Sequence, residues 1–599
     1  MATLTFIFSP SSTFTVLPVS VPQRMAYRVC LLFGLCLFQT IALAQSPKKD
    51  AQAAYSTNSQ TIAAGKQLFQ QHCSACHNFS QRGIGPNLAT VTSDVSAQWI
   101  KAFIHNAPEV IARGDARAKQ LFDNYKQAMP AFQQLNNTDL DALMAYIHAQ
   151  RQQTPIQDNS DQLGPPQTNP IAAGIASAGL RLDLTEMMTA PATSQKIPLA
   201  RINKMQVMPG PGNRLFIQDM RGTLYEMVGN SVRTFMSIPN ERPGFINEPG
   251  LGTGLGSYAF HPDFQQNGLF YTTHTEKANA APADFAYADS IRVSLQWVLT
   301  EWKQTDPTAP TFSGSGRELL RINMVAPMHG VQEITFNPLA KPGSPDYGML
   351  YIGVGDGGST ENKAYFLCKD HNQIWGKVLR INPKGRNSKN GRYGIPADNP
   401  FANATDSGTL REVFCRGFRN PNRISWTPDG TMLISDIGQA QLEELNVGIA
   451  GADYGWPERE GTFVMNYQGK MDRVYPLPAN DSDFHYTYPA VQYDHNEGNA
   501  ISAGFVYTGS AAPALRGKYV FGDVVNGRVY CVESSMLRSG KQATVQELSL
   551  RVAGQPTTFR QLTNRTKTDL RFGVGPNGDF YFYTKTDGKI YKLTGCSPE

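Results

Sequence analysis

Charge is scarce in this 599-residue chain: charged side chains make up 17% of it and sum to only +5, with no long basic run. Composition therefore offers no electrostatic footprint for nucleic acid. Long apolar runs are scarcer still. Beyond residue 44 none approaches the roughly 18 residues that a membrane-spanning helix needs. Nor does the chain have the make-up of a helical bundle or a disordered tail. Apolar residues reach 41%, and 53 glycines with 39 prolines point to a folded, turn-rich protein. The length exceeds what one hydrophobic core holds, so two or more domains are expected.

What is present begins with an export address. Arg28 precedes an apolar run from Val29 to Leu37 that ends in Ile41, and Ala42-Leu43-Ala44 places small residues where a signal peptidase reads. The run is short for a span and fits a secretory signal peptide over 1–44, starting at Met25, with 1–24 as an upstream extension. Leu35 before Cys36 argues against a lipoprotein signal. Residues 45–60 form a short polar segment. The mature chain is expected in the periplasm or outside the cell, with no transmembrane span. The eight cysteines divide accordingly. Cys30 and Cys36 leave with the signal, Cys73 and Cys76 form a pair, and Cys368, Cys415, Cys531 and Cys596 remain for disulfides in an oxidising compartment. Four cysteines allow three pairings; Cys531 with Cys596 and Cys368 with Cys415 are the expected ones.

Cys73-Ser74-Ala75-Cys76-His77 is the attachment pentad of a c-type haem: two thiols add to the vinyl groups and the adjacent His supplies one axial nitrogen to the iron. A redox or zinc CxxC followed by a chance His can imitate it, so the surroundings matter. Gly65 and Phe69 lie in a helical stretch, Ile62 to Gln71, where the glycine allows close helix contact. Gly85-Pro86-Asn87-Leu88 fixes a turn whose carbonyl can accept from the ring N–H of His77. Met129-Pro130-Ala131-Phe132 offers a thioether, Met129, as the second axial ligand of the haem iron. Thr138 and Asp141 predict a capping box for a closing helix, Leu140 to Ala149, with Leu140, Leu143, Met144 and Ile147 on one face. His72 and His105 read as surface histidines. The order of these elements resembles class I cytochrome c, which implies a small all-α electron-carrying domain over 61–150.

Residues 151–178, rich in Gln, Pro, Asn and Asp, read as a linker. From 179 to 599 the grammar changes to short aromatic or β-branched runs punctuated by Gly, Asn and Asp. One phrase recurs: Arg214-Leu-Phe-Ile-Gln, Gly268-Leu-Phe-Tyr-Thr, Gly348-Met-Leu-Tyr-Ile, Gly430-Thr-Met-Leu-Ile, Gly517-Lys-Tyr-Val-Phe and Gly578-Asp-Phe-Tyr-Phe. Each reads as a turn delivering an inner strand, in places followed by a hairpin return at Gly222, Gly527 or Gly588. Six sheets that cannot bury their faces alone predict an all-β six-bladed propeller, making the whole chain multidomain.

Several segments go beyond repeat grammar: Gly254 to His261, His329 to Phe336, Tyr351 to Asp356, Gly376 to Pro383, Gly417-Phe-Arg419-Asn420-Pro421, Asp436-Ile-Gly438-Gln439, Glu443-Glu444, and Tyr454-Gly-Trp-Pro457. In this order they resemble the soluble sugar dehydrogenases that depend on pyrroloquinoline quinone (PQQ), a family that includes glucose and aldose dehydrogenases and hedgehog-interacting-protein-like propellers. The resemblance implies PQQ and Ca²⁺ as cofactors beside haem c. It implies His329 as the catalytic base, an imidazole suited to work near neutral pH. Arg419 and Asn420 match the pair that contacts the quinone, with Arg419 stabilising its developing charge. Gly438 and Gln439 match the backbone carbonyls that hold Ca²⁺, and Asp356 and Glu443 are further oxygen candidates. Arg528 sits where a late-blade arginine could reach the cofactor's acids, and His261 reads as a turn residue. Three departures stand out. Thr508 replaces the Lys or Arg that often follows the Val506-Tyr507 position, Met328 replaces an Asp before the base, and Glu248 is too far upstream to match the family's acid or amide. They point away from tight quinone binding and from glucose as the substrate.

Two functions follow. The first is a periplasmic quinohaemoprotein that oxidises an aldose or related alcohol and passes electrons through the tethered haem to an external cytochrome or copper protein. The second is a propeller binding module without quinone, attached to an electron-carrying cytochrome.

Overall fold

The structure, a computed structural model, describes residues 55–599 except 75, 80–84, 126–128, 152–159, 251, 407 and 440. The expected signal peptide and its extension, with most of the polar segment, lie outside the described residues. No helix among the described residues is long and apolar enough to cross a membrane.

The N-terminal domain is helical. Helix α1 (Ser59–His72) starts where the Asn58 side chain accepts from the N–H groups of Gln60 and Thr61. It is followed by α2 (Val91–Asp94), α3 (Ala97–Ala112), α4 (Ala116–Tyr125) and α5 (Asn137–Ala149). α1 packs on α5, and Gly65 makes that possible, since a Cβ there would overlap the Ala142 carbonyl. The capping box of α5 is built by Asn136 and Asp139, not by Thr138 and Asp141. Asn136 is the last extended residue, so its side chain meets the Asp139 N–H at 3.0 Å while Asp139 accepts from the Asn136 N–H at 3.1 Å. Phe69, Ile100, Ile104, Leu140, Leu143, Met144 and Ile147 share one core. Inside α3, Pro108 has no N–H to offer the carbonyl four residues back. That carbonyl, on Ile104, accepts from Phe132 N at 3.2 Å instead and anchors the Met129–Phe132 segment.

The remainder is β-rich, a succession of four-stranded antiparallel units. The first comprises Ile202–Val207, Leu215–Asp219, Thr223–Val228 and Ser231–Ser237. The second comprises Leu255–Phe260, Leu269–Lys277, Leu295–Gln304 and Gly314–Met324. The third comprises Glu333–Phe336, Leu350–Val354, Lys377–Ile381 and Val413–Arg416. The fourth comprises Pro421–Trp426, Met432–Asp436, Leu442–Val447 and Val491–Asp494. The fifth comprises Ile501–Val506, Lys518–Asp523, Val529–Glu533 and Gln546–Val552. The last takes Leu570–Val574, Phe580–Thr584 and Lys589–Pro598 from the C-terminal end and Ala176–Thr189 from the start of the domain. Ala176–Thr189 runs antiparallel to Lys589–Pro598 and parallel to Gln546–Val552, and with Gln555–Thr557 paired to Gln546–Val552 the last two units form one nine-stranded sheet. The first strand of each unit touches the first strand of the next, and the last touches the first. This closed ring buries apolar faces that no unit could bury alone.

The recurring phrase falls once in every unit, on the second strand rather than on the innermost one. Its turn glycines 268, 348, 430, 517 and 578 all have positive φ, a backbone region that side chains with a Cβ rarely enter. The innermost strands carry mixed polar residues such as Glu333, Arg423 and Ser502, so their apolar signal is weaker.

The expected linker is shorter than 151–178. Residues from 167 onward already lie on the β domain, where Gln167 N donates to Val474 O at 2.8 Å, and Ala176 is in strand. Neither expected disulfide is formed: Cys368, Cys415, Cys531 and Cys596 are thiols. Cys368 and Cys415 belong to different core clusters, whereas Cys531 and Cys596 lie against the same one.

Candidate active site

In an antiparallel unit the start of the first strand and the end of the second lie at the same end. At that end residues from several units converge: Pro249, His329, Arg419, the Ile437–Gln439 turn, His495, Val525 and Lys567. They form one wall of a cavity of about 390 Å³, and its other wall is the helical domain. Cys73, Cys76, His77, Pro86, Met129 and Phe132 line the same space.

On the helical side, His77 Nδ1 is 2.9 Å from Pro86 O, which leaves Nε2 for a metal. Gly85 is packed against the imidazole so closely that a Cβ would overlap the ring. Burial pushes the Cys73 thiol up to about 12 and Cys76 up to about 11. A redox CxxC has the opposite bias, toward thiolate. These residues therefore fit covalent haem attachment better than disulfide exchange. His72, expected at the surface, lines the cavity; His105 is exposed.

On the β side, His329 occupies a left-handed backbone position, φ 46°, that only Gly adopts cheaply. It is held there by Gly357 N, which donates to His329 O at 3.1 Å, and by Gly355 N, which donates to Gly330 O at 3.1 Å. The payoff is a 2.7 Å contact between His329 Nδ1 and the fully buried Asp356 Oδ1. Burial works against the Asp356 charge, but His329 and then Arg419 outweigh it and hold the carboxyl below its usual range. Asp356, read from sequence as an oxygen ligand, is thus the partner of the imidazole.

Arg419 is buried, and its guanidinium donates to Glu361 at 3.0 Å, Ile437 O at 3.2 Å and Gly438 O at 2.5 Å. It lies over the Trp456 ring, and its Nε has no partner. Asn420 follows it; the N–H groups of Arg419 and Asn420 both go to Asp436, at 2.9 and 2.5 Å. The Ile437–Gln439 turn has carboxylates behind its N–H groups: Glu460 accepts from Gln439 N at 2.7 Å and Glu443 from Gly438 N at 3.4 Å. The Ile437 and Gly438 carbonyls accept from the Arg419 guanidinium, and oxygens of this kind also suit a hard cation. The side-chain oxygen of Gln439 is buried with no partner. Glu443 is itself taken by Ile501 N and by His495 Nε2 at 3.0 Å.

Arg528 is not brought to this cavity. Its guanidinium is occupied by Glu497 and Glu547 and stacks on Tyr530. A different cationic group stands where the last and first units meet: Lys567, Lys585 and Arg571 of the last unit and Arg201 of the first all act on the buried carboxylate of Asp569, and Asp219 and Glu248 also act on Arg201. Burial and Arg221 lower Arg201 to about 10, and Lys585 is pushed well below its ordinary value by burial and Arg571. Arg571 and Lys567, with Arg201 beside them, suit an anionic ligand. Thr508 is exposed and lies at the opposite end, beside Gly578, so the missing lysine there removes nothing from the cavity. Met328 is buried against Gly358. Sequence reasoning missed Glu361, His495 and Lys567, each of which reaches the site on a loop of a different unit with no contiguous motif to mark it.

Comparison with known proteins gives the class. The glucose/sorbosone dehydrogenase profile matches residues 201–592, and the cytochrome c profile matches residues 62–151. The chain belongs to the glucose/sorbosone dehydrogenase family and carries an N-terminal cytochrome c domain. It is 27% identical over 307 residues to quinoprotein glucose dehydrogenase B of Acinetobacter calcoaceticus, covering 48% of this chain and 57% of that protein. It is 26% identical over 328 residues to HIPL2 protein of Arabidopsis thaliana, covering 48% of this chain and 44% of that one. It is 25% identical over 351 residues to human hedgehog-interacting protein, covering 57% and 43%. The chain spans about half the length of the curated relatives it matches. Among solved structures, the soluble aldose sugar dehydrogenase of Escherichia coli aligns with a TM-score of 0.46 at 19% identity, covering 67% of this chain and 97% of that one. The PQQ-bound aldose sugar dehydrogenase of Streptomyces coelicolor aligns with a TM-score of 0.43 at 18% identity, covering 70% and 98%.

Proposed function

We propose that the chain is an exported quinohaemoprotein: a six-bladed propeller that oxidises an aldose or related alcohol with PQQ and Ca²⁺, and a haem c domain that takes the electrons. The carrying observation is the single cavity lined by His329, Arg419 and Lys567 on one side and by Cys76, His77 and Met129 on the other. A haem crevice opening onto a dehydrogenase-type site needs no diffusing carrier between them.

The quinone, when bound, supplies a two-electron hydride acceptor, and haem c supplies a one-electron carrier. The chain's own residues do the rest. An ionised Asp356 can only accept a hydrogen bond, so it fixes the proton on His329 Nδ1 and leaves Nε2 to take the proton of the sugar hydroxyl. Arg419, already turned toward the oxygen-rich turn, would hold the quinone oxygens with the spare donor at Nε, and Asn420 stands beside it. The carbonyl oxygens of Gly438 and Gln439 would hold Ca²⁺ once the Arg419 guanidinium releases Gly438 O, which it meets at 2.5 Å. The cations around Asp569 would hold the cofactor's acids, with Lys567 and Arg571 replacing the role expected for Arg528.

The test is reconstitution of the haem-loaded chain with PQQ and Ca²⁺, followed by haem absorbance across an aldose panel. Reduction that requires quinone, Ca²⁺ and sugar together is the expected result. Attached haem with no reduction by any sugar contradicts it and favours the binding module, the reading the hedgehog-interacting relatives suggest.

A further inference from the structure

Lys567, which the proposed function gives to the cofactor's acids, also faces the haem side of the cavity. It belongs to the β domain, on the loop leading into Leu570–Val574, yet it lines the same cavity as Cys73, Cys76 and His77. Its Nζ stands 3.6 Å from Asp569 Oδ1, a distance longer than a hydrogen bond. That carboxylate also answers Lys585, Arg571 and Arg201, so it balances only part of the positive charge around it. The other β-side arginine or lysine in the cavity, Arg419, has a carboxylate of its own in Glu361, at 3.0 Å. From the helical side the cavity is lined by Asp94 and Arg117, one of each sign.

We propose that Lys567 is a positioning charge for the haem. It is a cation lent by the β domain that raises the haem's reduction potential while the two domains share this cavity. The inference rests on the proposed haem attachment. A fixed positive charge in a partly dry site disfavours ferric iron, which carries one more positive charge than ferrous iron, and the cost falls off with distance and dielectric. The haem facing the β domain is therefore a stronger electron acceptor than the same haem facing water. The driving force for taking an electron from the sugar-oxidising site is largest where that site is.

The experiment is a spectroelectrochemical titration of the haem in the full chain, comparing the parent with Lys567→Met, Lys567→Arg and, as a control, Lys589→Met. Lys589 is a surface residue paired with Glu186. Lys567→Met is expected to lower the potential, changing the ferrous-to-ferric ratio at fixed ambient potential by about three- to tenfold. Lys567→Arg restores it, Lys589→Met leaves it in place, and the ligand-sensitive absorbance bands stay unchanged throughout. Added salt shrinks the difference between parent and Lys567→Met only modestly, because the charge is partly buried. An unmoved potential in Lys567→Met, or an equal shift in the Lys589→Met control, overturns the proposal. If the potential stays fixed while sugar still reduces the haem, the dehydrogenase reading survives and this one does not. If the potential moves but no sugar reduces the haem, the failure belongs to the dehydrogenase reading.

Discussion

His329 shows how a single residue is bent to a purpose. A non-glycine side chain at φ 46° costs on the order of 1 kcal/mol or more, and two glycine N–H groups with the Asp356 contact hold it there. Asp356 N also donates to Arg419 O at 2.8 Å, so the loop that meets His329 is tied to the loop bearing the Arg419 guanidinium. The sign of the pH dependence follows from the direction of the Asp356 shift. Its folded carboxyl lies below the usual value, so the stabilisation is present above that value and is lost as pH falls through the lowered one. At neutral pH the carboxylate is charged. Replacing it, Asp356→Asn, frees the imidazole to take the wrong tautomer and is expected to lower turnover with sugar by about a hundredfold or more. PQQ affinity and the haem spectrum should change little; steady-state kinetics beside a PQQ titration separates the two. At this scale contiguous chemistry is what the sequence displays. Cys73, Cys76 and His77 are neighbours in the chain and declare themselves, as does Met129 in its Met-Pro context. Asp356 was visible, but its role was not, because the imidazole it serves is 27 residues away.

At the scale of elements, the site is made by strand ends. Residues before a first strand (Pro249, His329, Arg419, Lys567) and after a second strand (Asp356, Ile437, Val525) share one end of the ring; residues after a first strand do not. Thr508 illustrates the rule, since it follows Ile501–Val506 and sits beside the turn at Gly578. Thr508→Lys is accordingly expected to leave PQQ affinity within about twofold of the parent, because an exposed lysine there adds only a screened charge far from the cavity. Quenching or calorimetric titration with PQQ checks it, and a large gain in affinity would mean the ends of this unit are misassigned. The repeat phrase was legible in sequence because second strands are buried on both faces, as in Leu215–Asp219 and Phe580–Thr584. First strands face the centre, where polar residues interrupt the apolar run. The helical caps were legible only to within two residues, since Asn136 and Thr138 are both good capping residues and only the backbone turn decides between them.

For the whole molecule, the decisive feature is that two domains with separate cores line one cavity. Nothing in a linear sequence announces that. The Gln- and Pro-rich stretch read as a tether, yet its later part is already fixed to the β domain by the Gln167 and Ile175 N–H groups. In the proposed function a short connection of this kind keeps the local concentration of haem around His329 and Arg419 very high, on the order of millimolar or more. Direct transfer inside one chain is the central claim, and its kinetics are distinctive. In a stopped-flow experiment the PQQ- and Ca²⁺-loaded chain is mixed with saturating aldose and the haem absorbance is followed while protein concentration is varied widely. The account predicts a first-order haem reduction whose rate constant does not change with protein concentration. A rate constant that rises in proportion to protein concentration would show that the haem is served by a neighbouring molecule, and would contradict it.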